Sequence, residues 1–418
     1  MAWSFFKRNQ IETKEHPSGA AFFVNQAVGW ARWSKPRDYI REGYQMNVLV
    51  YRSIKEIVTA ASSIKYELYN GETLVEKHPV LDLLANPTPT LSYREWLTEM
   101  LVNRLLIGEQ FCVASPESGK PVEMWPLNPV DMLVQPGRGG IASAYIHEAG
   151  NSKRVYPVDQ VTGQGPCFYS KLYNPSDYWR GQSPLMAASL AADTHNAGGK
   201  WNFNLLRNSA KPSGLVRFKG GYPSSDMIQK MREYFKRQVQ GADNAGEVPM
   251  LADDAEWITL SQTARDMDFS TTMASMAKQI ASAYGVPLPL IDNDASTFNN
   301  LEQAKERLYT DTVIPLLQDF LSALSRWLFP MFGLEGHELR IDMDSIPALE
   351  GLRQKMFERA ERMYNAGILT REECRLMIGF PEKGNGEFKQ EGTMGDPFEG
   401  LTDDDQKALI YGASMEVK

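Results

Sequence analysis

The sequence predicts an α+β chain in which two long helices bracket a small inserted subdomain. Three observations predict it: helical periodicity over 183–208 and again over 264–284, a strand, helix, strand pattern between them, and short Gly-, Pro- and Asn-punctuated strands upstream. A length of 418 residues leaves room for two or three cores, and 43% hydrophobic residues is ordinary for a soluble protein. No run of 18 apolar residues occurs, and Met1-Ala2-Trp3-Ser4-Phe5-Phe6-Lys7-Arg8 lacks a signal-peptide core, so neither membrane insertion nor secretion is expected. Cys112, Cys167 and Cys374 stand far apart with no CxxC, which argues against a disulfide framework or zinc ribbon and for a reducing, cytoplasmic origin. A formal charge of −8 argues against tight binding to nucleic acid through counterion release. An acidic surface still suits a conduit for a polyanion, because cationic linings hold phosphates and slow their movement.

Residues 1–40 mix aromatics, charges and prolines without sustained periodicity and leave two readings, an arm docked on a neighbour or a frayed terminus. Order is expected from Asn47, where Tyr51, Ile54, Val58 and Ala61 recur at helical spacing. The run 64–69 leads through Asn70-Gly71 into 72–75, and Asn-Gly between strand-like segments predicts a hairpin. Ser92 followed by Glu95 is a capping box that opens a helix to Ile107, with Gly108 as its stop. Strands are then expected at 110–114, 121–127, 141–146 and 159–162, making 41–182 one α+β domain.

Gly181-Gln182-Ser183-Pro184 places a serine cap before a first-turn proline, and the helix it opens runs to about Asn208, ahead of Pro212. Met186, Leu190, Ala197, Trp201 and Leu205 share one face, and Gly198-Gly199 marks a kink or a close helix contact. In the insert, strands are expected at 214–219 and within 250–260, with a helix over 226–240. Its charges are segregated, with Lys211, Arg217, Lys219, Lys230, Arg232, Lys236 and Arg237 preceding Asp243, Glu247, Asp253, Asp254 and Glu256. A two-signed surface suits contacts between identical neighbours or a docking partner, and equally the two solvated faces of a small subdomain.

The helix at 264–284 carries a stripe of Phe269, Met273, Met276, Ile280 and Ala283 beside a small-residue face of Ala274, Ala277 and Ala281. Two packable faces imply two neighbours, as in a bundle or ring. After Gly285-Val286-Pro287-Leu288-Pro289, a polar loop leads to Asn299, which is placed to cap a helix with Glu302 three positions on; Pro315 is expected to kink it. A strand at 338–342, a helix over 349–365 stopped by Gly367, and a capping box at Thr370 and Glu373 complete the pattern. The glycine-rich acidic stretch beyond Glu382 is expected to be mobile.

The search for chemistry returns little. His16, His78, His147, His195 and His337 are scattered with no metal-ligand spacing, and Asp193 and His195 lie only two apart on a helix, a poor spacing for a dyad. Gly119-Lys120 and Gly199-Lys200 lack the rest of a P-loop, and Gly181-Gln182-Ser183-Pro184 is not a nucleophile elbow. Gly137-Arg138-Gly139-Gly140 reads as a turn rather than an RNA-binding repeat. The loop after Gly285 holds carboxylates and amides but no histidine, cysteine, lysine or arginine, so a mechanical role is expected there rather than catalysis, and no cofactor is implied.

The order of parts resembles the HK97-like portal proteins of tailed phages and phage-like gene transfer agents, over roughly residues 45–381. Four local matches carry the resemblance: Gly181-Gln182-Ser183-Pro184-Leu185; Lys211-Pro212-Ser213-Gly214; Ile280-Ala281-Ser282-Ala283-Tyr284-Gly285-Val286-Pro287 followed by Asn300-Leu301-Glu302; and Ala366-Gly367-Ile368-Leu369-Thr370-Arg371-Glu372-Glu373-Cys374-Arg375. Glu372 stands where the family often has Asn, a departure that affects capping detail. The resemblance implies a ring, usually of twelve subunits, at one capsid vertex, through which double-stranded DNA enters and leaves. It implies an N-terminal arm at 1–40, a wing at 41–182, stem helices at 183–210 and 263–285, and a clip at 211–262. A tunnel loop at 286–299, a kinked helix and strand of the wing at 300–347, a crown at 348–381 and a tail at 382–418 follow. Leu290, Asp292, Asn293, Asp294, Ser296, Thr297, Phe298 and Asn299 would then face DNA. Arg217, Lys219, Lys230, Arg232, Lys236, Arg237, Asp253 and Asp254 would meet the large terminase subunit, the head-tail adaptor or adjacent subunits. The major capsid protein is a further implied partner, and no membrane is. Two other readings stay open at this point: a multidomain cytoplasmic enzyme with an unrecognised site, and another ring protein of the head-tail junction.

Overall fold

The computed structural model describes residues 35–117, 120–207, 214–218, 224–226, 228–230, 233, 255–259, 269–292 and 298–379. The chain divides into two compact units, one ending at Leu349 and one beginning at Glu350.

Order begins earlier than Asn47, with a short helix α1 (Pro36–Asp38) and a π-helical stretch (Tyr39–Gln45) ahead of α2 (Val48–Ser63). Asn47 is the cap: its Oδ1 accepts from the Leu49 and Val50 amides, both at 3.1 Å. The buried stripe of α2 is Val50, Ile54, Ile57, Val58 and Ala61. Tyr51, expected to share it, is 40% exposed: it lies in the first turn at the edge of that stripe, and its ring packs on Tyr44.

The Asn70-Gly71 hairpin joins β1 (Tyr66–Asn70) to β2 (Thr73–Leu74), with Gly71 at φ +61°. The longer partner of β1 comes from far along the chain: β11 (His337–Ile341) lies antiparallel to it with Leu339 opposite Leu68, so the sheet order is β11-β1-β2. A seven-residue helix α3 (Pro79–Ala85), too short to declare a period, follows His78, whose Nδ1 accepts from the Val80 amide at 3.2 Å. The capping box of α4 (Tyr93–Ile107) forms as expected, and Gly108 ends the helix at φ +91°.

Two three-stranded antiparallel sheets follow. One has the order β4 (Lys120–Leu127), β3 (Glu109–Glu117), β8 (Cys167–Lys171); the other runs β5 (Met132–Gln135), β6 (Ala144–Ala149), β7 (Ser152–Pro157). The strand expected at 159–162 is a turn. The Asp159 carboxylate accepts from the Val161 and Thr162 amides at 2.8 and 2.7 Å, a local bond that competes with a ladder. Strands β5, β7 and β8 escaped the pattern; β7 is exposed at five of its six positions and so lacks alternation.

The helix expected over 183–208 is two, α5 (Pro184–Ala187) and α6 (Ser189–Arg207). The break falls at Ala188, whose ψ is 5°, and α6 runs through Gly198-Gly199 as one helix. Its buried positions near the break are the small residues Ala188, Ala191 and Ala192, while Leu190 is 55% exposed and Trp201 36%, so the expected apolar face points away from the chain's own core. In the insert, β9 (Gly214–Phe218) pairs antiparallel with β10 (Ala255–Thr259), matching the expected strands, and Asp226 and Lys230 lie in helical backbone.

Helix α7 (Phe269–Ala283) precedes a 3-10 turn at Leu288–Leu290. Helix α8 (Phe298–Leu308) starts one residue before Asn299, so Asn299 sits inside the first turn rather than at the cap. A π-helical turn (Tyr309–Val313) then leads into α9 (Ile314–Phe332). Pro315 stands in the first turn of α9; it has no N–H to give Asp311, and the irregularity expected there is taken up by the π turn just before it. The second unit holds α10 (Glu350–Asn365), stopped by Gly367 at φ +68°, and α11 (Arg371–Met377), whose Thr370–Glu373 capping box is formed.

The core of the first unit is aromatic. Trp96 of α4 lies 5.9 Å from Phe320 of α9, and Phe168 of β8 lies 5.4 Å from Trp327. On the opposite face of β3, Phe111 packs with Met132, Val134, Ala142 and Cys167 and stacks on Tyr169 at 4.6 Å.

Candidate functional site

Two of the sequence motifs meet in space at the end of α4. Gly108 and Gly181 bring their backbones so close that a Cβ on Gly181 would stand 2.1 Å from the Gly108 carbonyl oxygen, and one on Gly108 2.5 Å from the Gln182 carbonyl carbon. Ser183 then works in two directions: its Oγ donates to the Leu105 carbonyl and accepts from the Leu185 amide, both at 3.0 Å. Leu185 is fully buried. The start of α5 is thus tied to the end of α4.

Beneath this crossing lies a buried ion pair. Arg180 Nη2 stands 2.8 Å from Glu109 Oε2, with side chains 3% and 0% exposed. Glu109 Oε1 also accepts from Arg180 Nε at 2.9 Å, from the Tyr169 hydroxyl at 3.2 Å and from the Gly181 amide, while Arg180 Nη1 donates to the Met132 carbonyl at 2.8 Å. Burial pushes the Glu109 carboxyl up, and the arginine with its companion donors opposes that shift. Arg104, 2% exposed, reaches Ser170 Oγ at 2.6 Å and pairs with Asp319, linking α4 to α9.

The second motif closes on the same place. Tyr284, just past the end of α7, is buried, and that burial raises its hydroxyl above the usual tyrosine range, while a hydrogen bond with Ser183 opposes the shift. Gly285 follows at φ +69°, a left-handed position, and the Val286 amide donates back to the Ala281 carbonyl at 3.0 Å. Thr312, in the π turn, donates from Oγ1 to the Gly285 carbonyl at 2.8 Å. The start of α5 and the end of α7 are therefore adjacent, and since α6 packs on α7, the two long helices run antiparallel. Away from the junction they have little cover of their own: Ala274, Ser275, Lys278 and Gln279 of α7 are exposed, as are Trp201 and Phe203 of α6.

The predicted loop residues divide. Leu290 is 6% exposed and, with Val286, anchors the loop's base in the core. Asp292 and Asn299 are exposed at the two ends of the loop, and Phe298 begins α8. Asn293, Asp294, Ser296 and Thr297 lie outside the described residues. In the insert, Arg217 stands opposite Glu256 across the β9–β10 ladder, and Lys230 pairs with Asp226 at 2.8 Å. Lys219, Arg232, Lys236, Arg237, Asp253 and Asp254 lie outside the described residues. The buried Glu109–Arg180 pair, the Gly108–Gly181 crossing and Thr312 were not singled out from the sequence; their partners are 27 to 73 residues apart, and no local spacing announces them. Among the described residues no cluster of His, Cys, Asp or Glu suits a metal, and no helix is long and apolar enough to cross a membrane.

Comparison with known proteins agrees with this architecture. The family described as phage portal protein matches residues 49–379. An uncharacterised protein of Rickettsia bellii (strain RML369-C) is 28% identical over 391 residues, covering 92% of this chain and 98% of that protein. Chains from the neck of a gene transfer agent particle are 31% identical over 88% of this chain, with TM-score 0.66 and 98% of the other chain covered for the empty particle computed with C6 symmetry. For the native particle computed with C12 symmetry the values are 0.63 and 97%. An HK97-family phage portal protein from Corynebacterium diphtheriae shares the fold at TM-score 0.51 and 14% identity, over 72% of this chain and 93% of its own.

Proposed function

The chain belongs to the phage portal protein family, and from that premise we propose that twelve copies form a ring at one vertex of a phage capsid or gene transfer agent particle, through whose axis double-stranded DNA passes. One observation carries the reading: an antiparallel helix pair, α6 and α7, is pinned rigidly at one end and leaves Leu190, Trp201 and Phe203 exposed, as helices do that expect neighbours of their own kind. In this ring 41–182 is the wing, 183–210 and 263–285 the stem helices, 211–262 the clip, 286–299 the tunnel loop and 348–381 the crown. The two-signed clip supports docking of the large terminase subunit during filling and of the head-tail adaptor afterwards, and the wing faces the major capsid protein. Assembly takes place in the bacterial cytoplasm.

The loop's role follows from its base and its chemistry. Leu290, Val286 and the Thr312–Gly285 bond hold its base, while Asp292 and the following Asn293, Asp294, Ser296 and Thr297 supply acidic and hydrogen-bonding groups without a cation. DNA carries one charge per ~1.7 Å of helix axis, so a cation-free constriction touches it without trapping it. End-on imaging of the purified protein tests the ring; rings of twelve support the reading, and a monomer at micromolar concentration sinks it.

A further inference from the structure

The geometry points to β11 as an acceptor strand: its open edge, facing α9, takes the uncharged N-terminal stretch 17–31 of the adjacent copy as an added antiparallel or parallel strand, so that each subunit is strapped to the next. The inference rests on the ring reading and names a contact within it.

The edge is open by register. The Asp342 amide donates to the Lys65 carbonyl at 3.0 Å, which makes alternate residues 340 and 338 exchange bonds with β1 and turns the backbone groups of His337, Leu339 and Ile341 outward. Those groups meet no hydrogen-bond partner among the described residues. The strand has no proline, no lysine and no bulge, and its two charged residues, Glu338 and Arg340, share one face two positions apart. Alongside it α9 forms the opposite wall of a groove of about 840 Å³, lined by Ser322, Phe329, Leu334, Leu339 and Ile341. Ser325 Oγ, in the same wall, is buried without a partner. An edge strand facing a helix across an apolar groove is the setting in which an extended peptide adds to a sheet.

The occupant is argued from chemistry and length. Among the lining residues, Arg326 and Arg340 offset Glu335 and Glu338, so the groove offers no net formal charge to a charged ligand. Residues 17–31 carry no charge at all, and Phe22 and Val24, two apart, would share one face of an added strand. From Lys35 back to Val24 is eleven residues, a reach of about 36 Å when extended. Lys35 lies beyond the N-terminal end of α2 and the groove near its C-terminal end, with a 16-residue helix of about 24 Å between. An arm leaving one end and an acceptor at the other is what head-to-tail contact between identical subunits requires.

The test is oxidative cross-linking of Val24→Cys combined with Ser322→Cys in assembled rings, with each single variant and its melting temperature as controls; the native thiols Cys112, Cys167 and Cys374 are buried. A ladder of covalent multimers is expected, and His337→Pro, which removes an outward-facing amide, should reduce it about fivefold or more, whereas His337→Ala, which removes only the imidazole and its contact to the Glu335 carbonyl, should leave it. Rings that show no ladder, or only an internally cross-linked monomer, overturn the strap and leave the ring intact. Failure of the unsubstituted chain to form rings at all overturns both.

Discussion

A methyl group on Gly181 would meet the carbonyl oxygen of Gly108 at 2.1 Å, and both partners are backbone, so neither can swing aside. Gly181→Ala should therefore force the start of α5 off α4 and destabilise the fold by about 2–3 kcal/mol, read as a lowered melting temperature and a reduced ring yield. The neighbouring ion pair has a different signature. Arg180→Met leaves the Glu109 carboxylate buried without its cation and should cost about 3–5 kcal/mol, whereas combining it with Glu109→Gln should cost less than the sum of the single changes. A purely additive double mutant in urea unfolding would contradict this account. Titration belongs at this scale too. Partial burial holds the His195 imidazole below its ordinary value. The unfolded chain therefore takes up that proton first, so stability is complete above about pH 6.5 and declines as pH falls through it. His195→Gln should shrink the difference in melting temperature between pH 7.5 and 5.5.

Elements in this chain end and bend where backbone chemistry demands. The capping boxes at Ser92 and Thr370, the glycine stops at 108 and 367 and the Asn70-Gly71 hairpin were all legible because each depends on residues within four positions of one another. The misses have the opposite character. Asp159 diverts a strand-like run into a turn through its own side chain, and the hydrophobic stripe drawn through Leu190 and Trp201 turned outward because Ala188, Ala191 and Ala192 fit closer against the core. Pro330 shows an element stabilised from a distance. Inside α9 it frees the Arg326 carbonyl, which Gln164 Nε2 takes at 3.1 Å, while Trp327 Nε1 donates to the Gly165 carbonyl at 2.9 Å. Gln164→Ala should cost about 0.5–1 kcal/mol in the native chain and almost nothing with Pro330→Ala, which restores the helix's own bond. Equal costs in both backgrounds, measured by thermal melting, would remove Gln164 from that role.

At the scale of the whole molecule, the exposed apolar residues of α6 separate folding from assembly. Trp201→Glu with Phe203→Glu should leave the melting of the subunit nearly unchanged and reduce the ring fraction seen by mass measurement, since these side chains are 36% and 62% exposed in the single chain. Replacing 292–297 with glycines spares the buried Leu290 and should preserve rings while impairing DNA retention; normal packaging and retention would remove the loop from the mechanism. The sequence alone determined the α+β class, the order of parts, the caps and the absence of a recognisable catalytic motif, because periodicity, capping and motif spacing are properties of neighbouring residues. Only the tertiary structure decided that β1 pairs with β11, that Gly181 lies against Gly108, that Glu109 is neutralised by Arg180, and that Leu290 is buried in the core. Those are contacts between positions brought together by packing, and their energy depends on distance and burial, which no local spacing encodes.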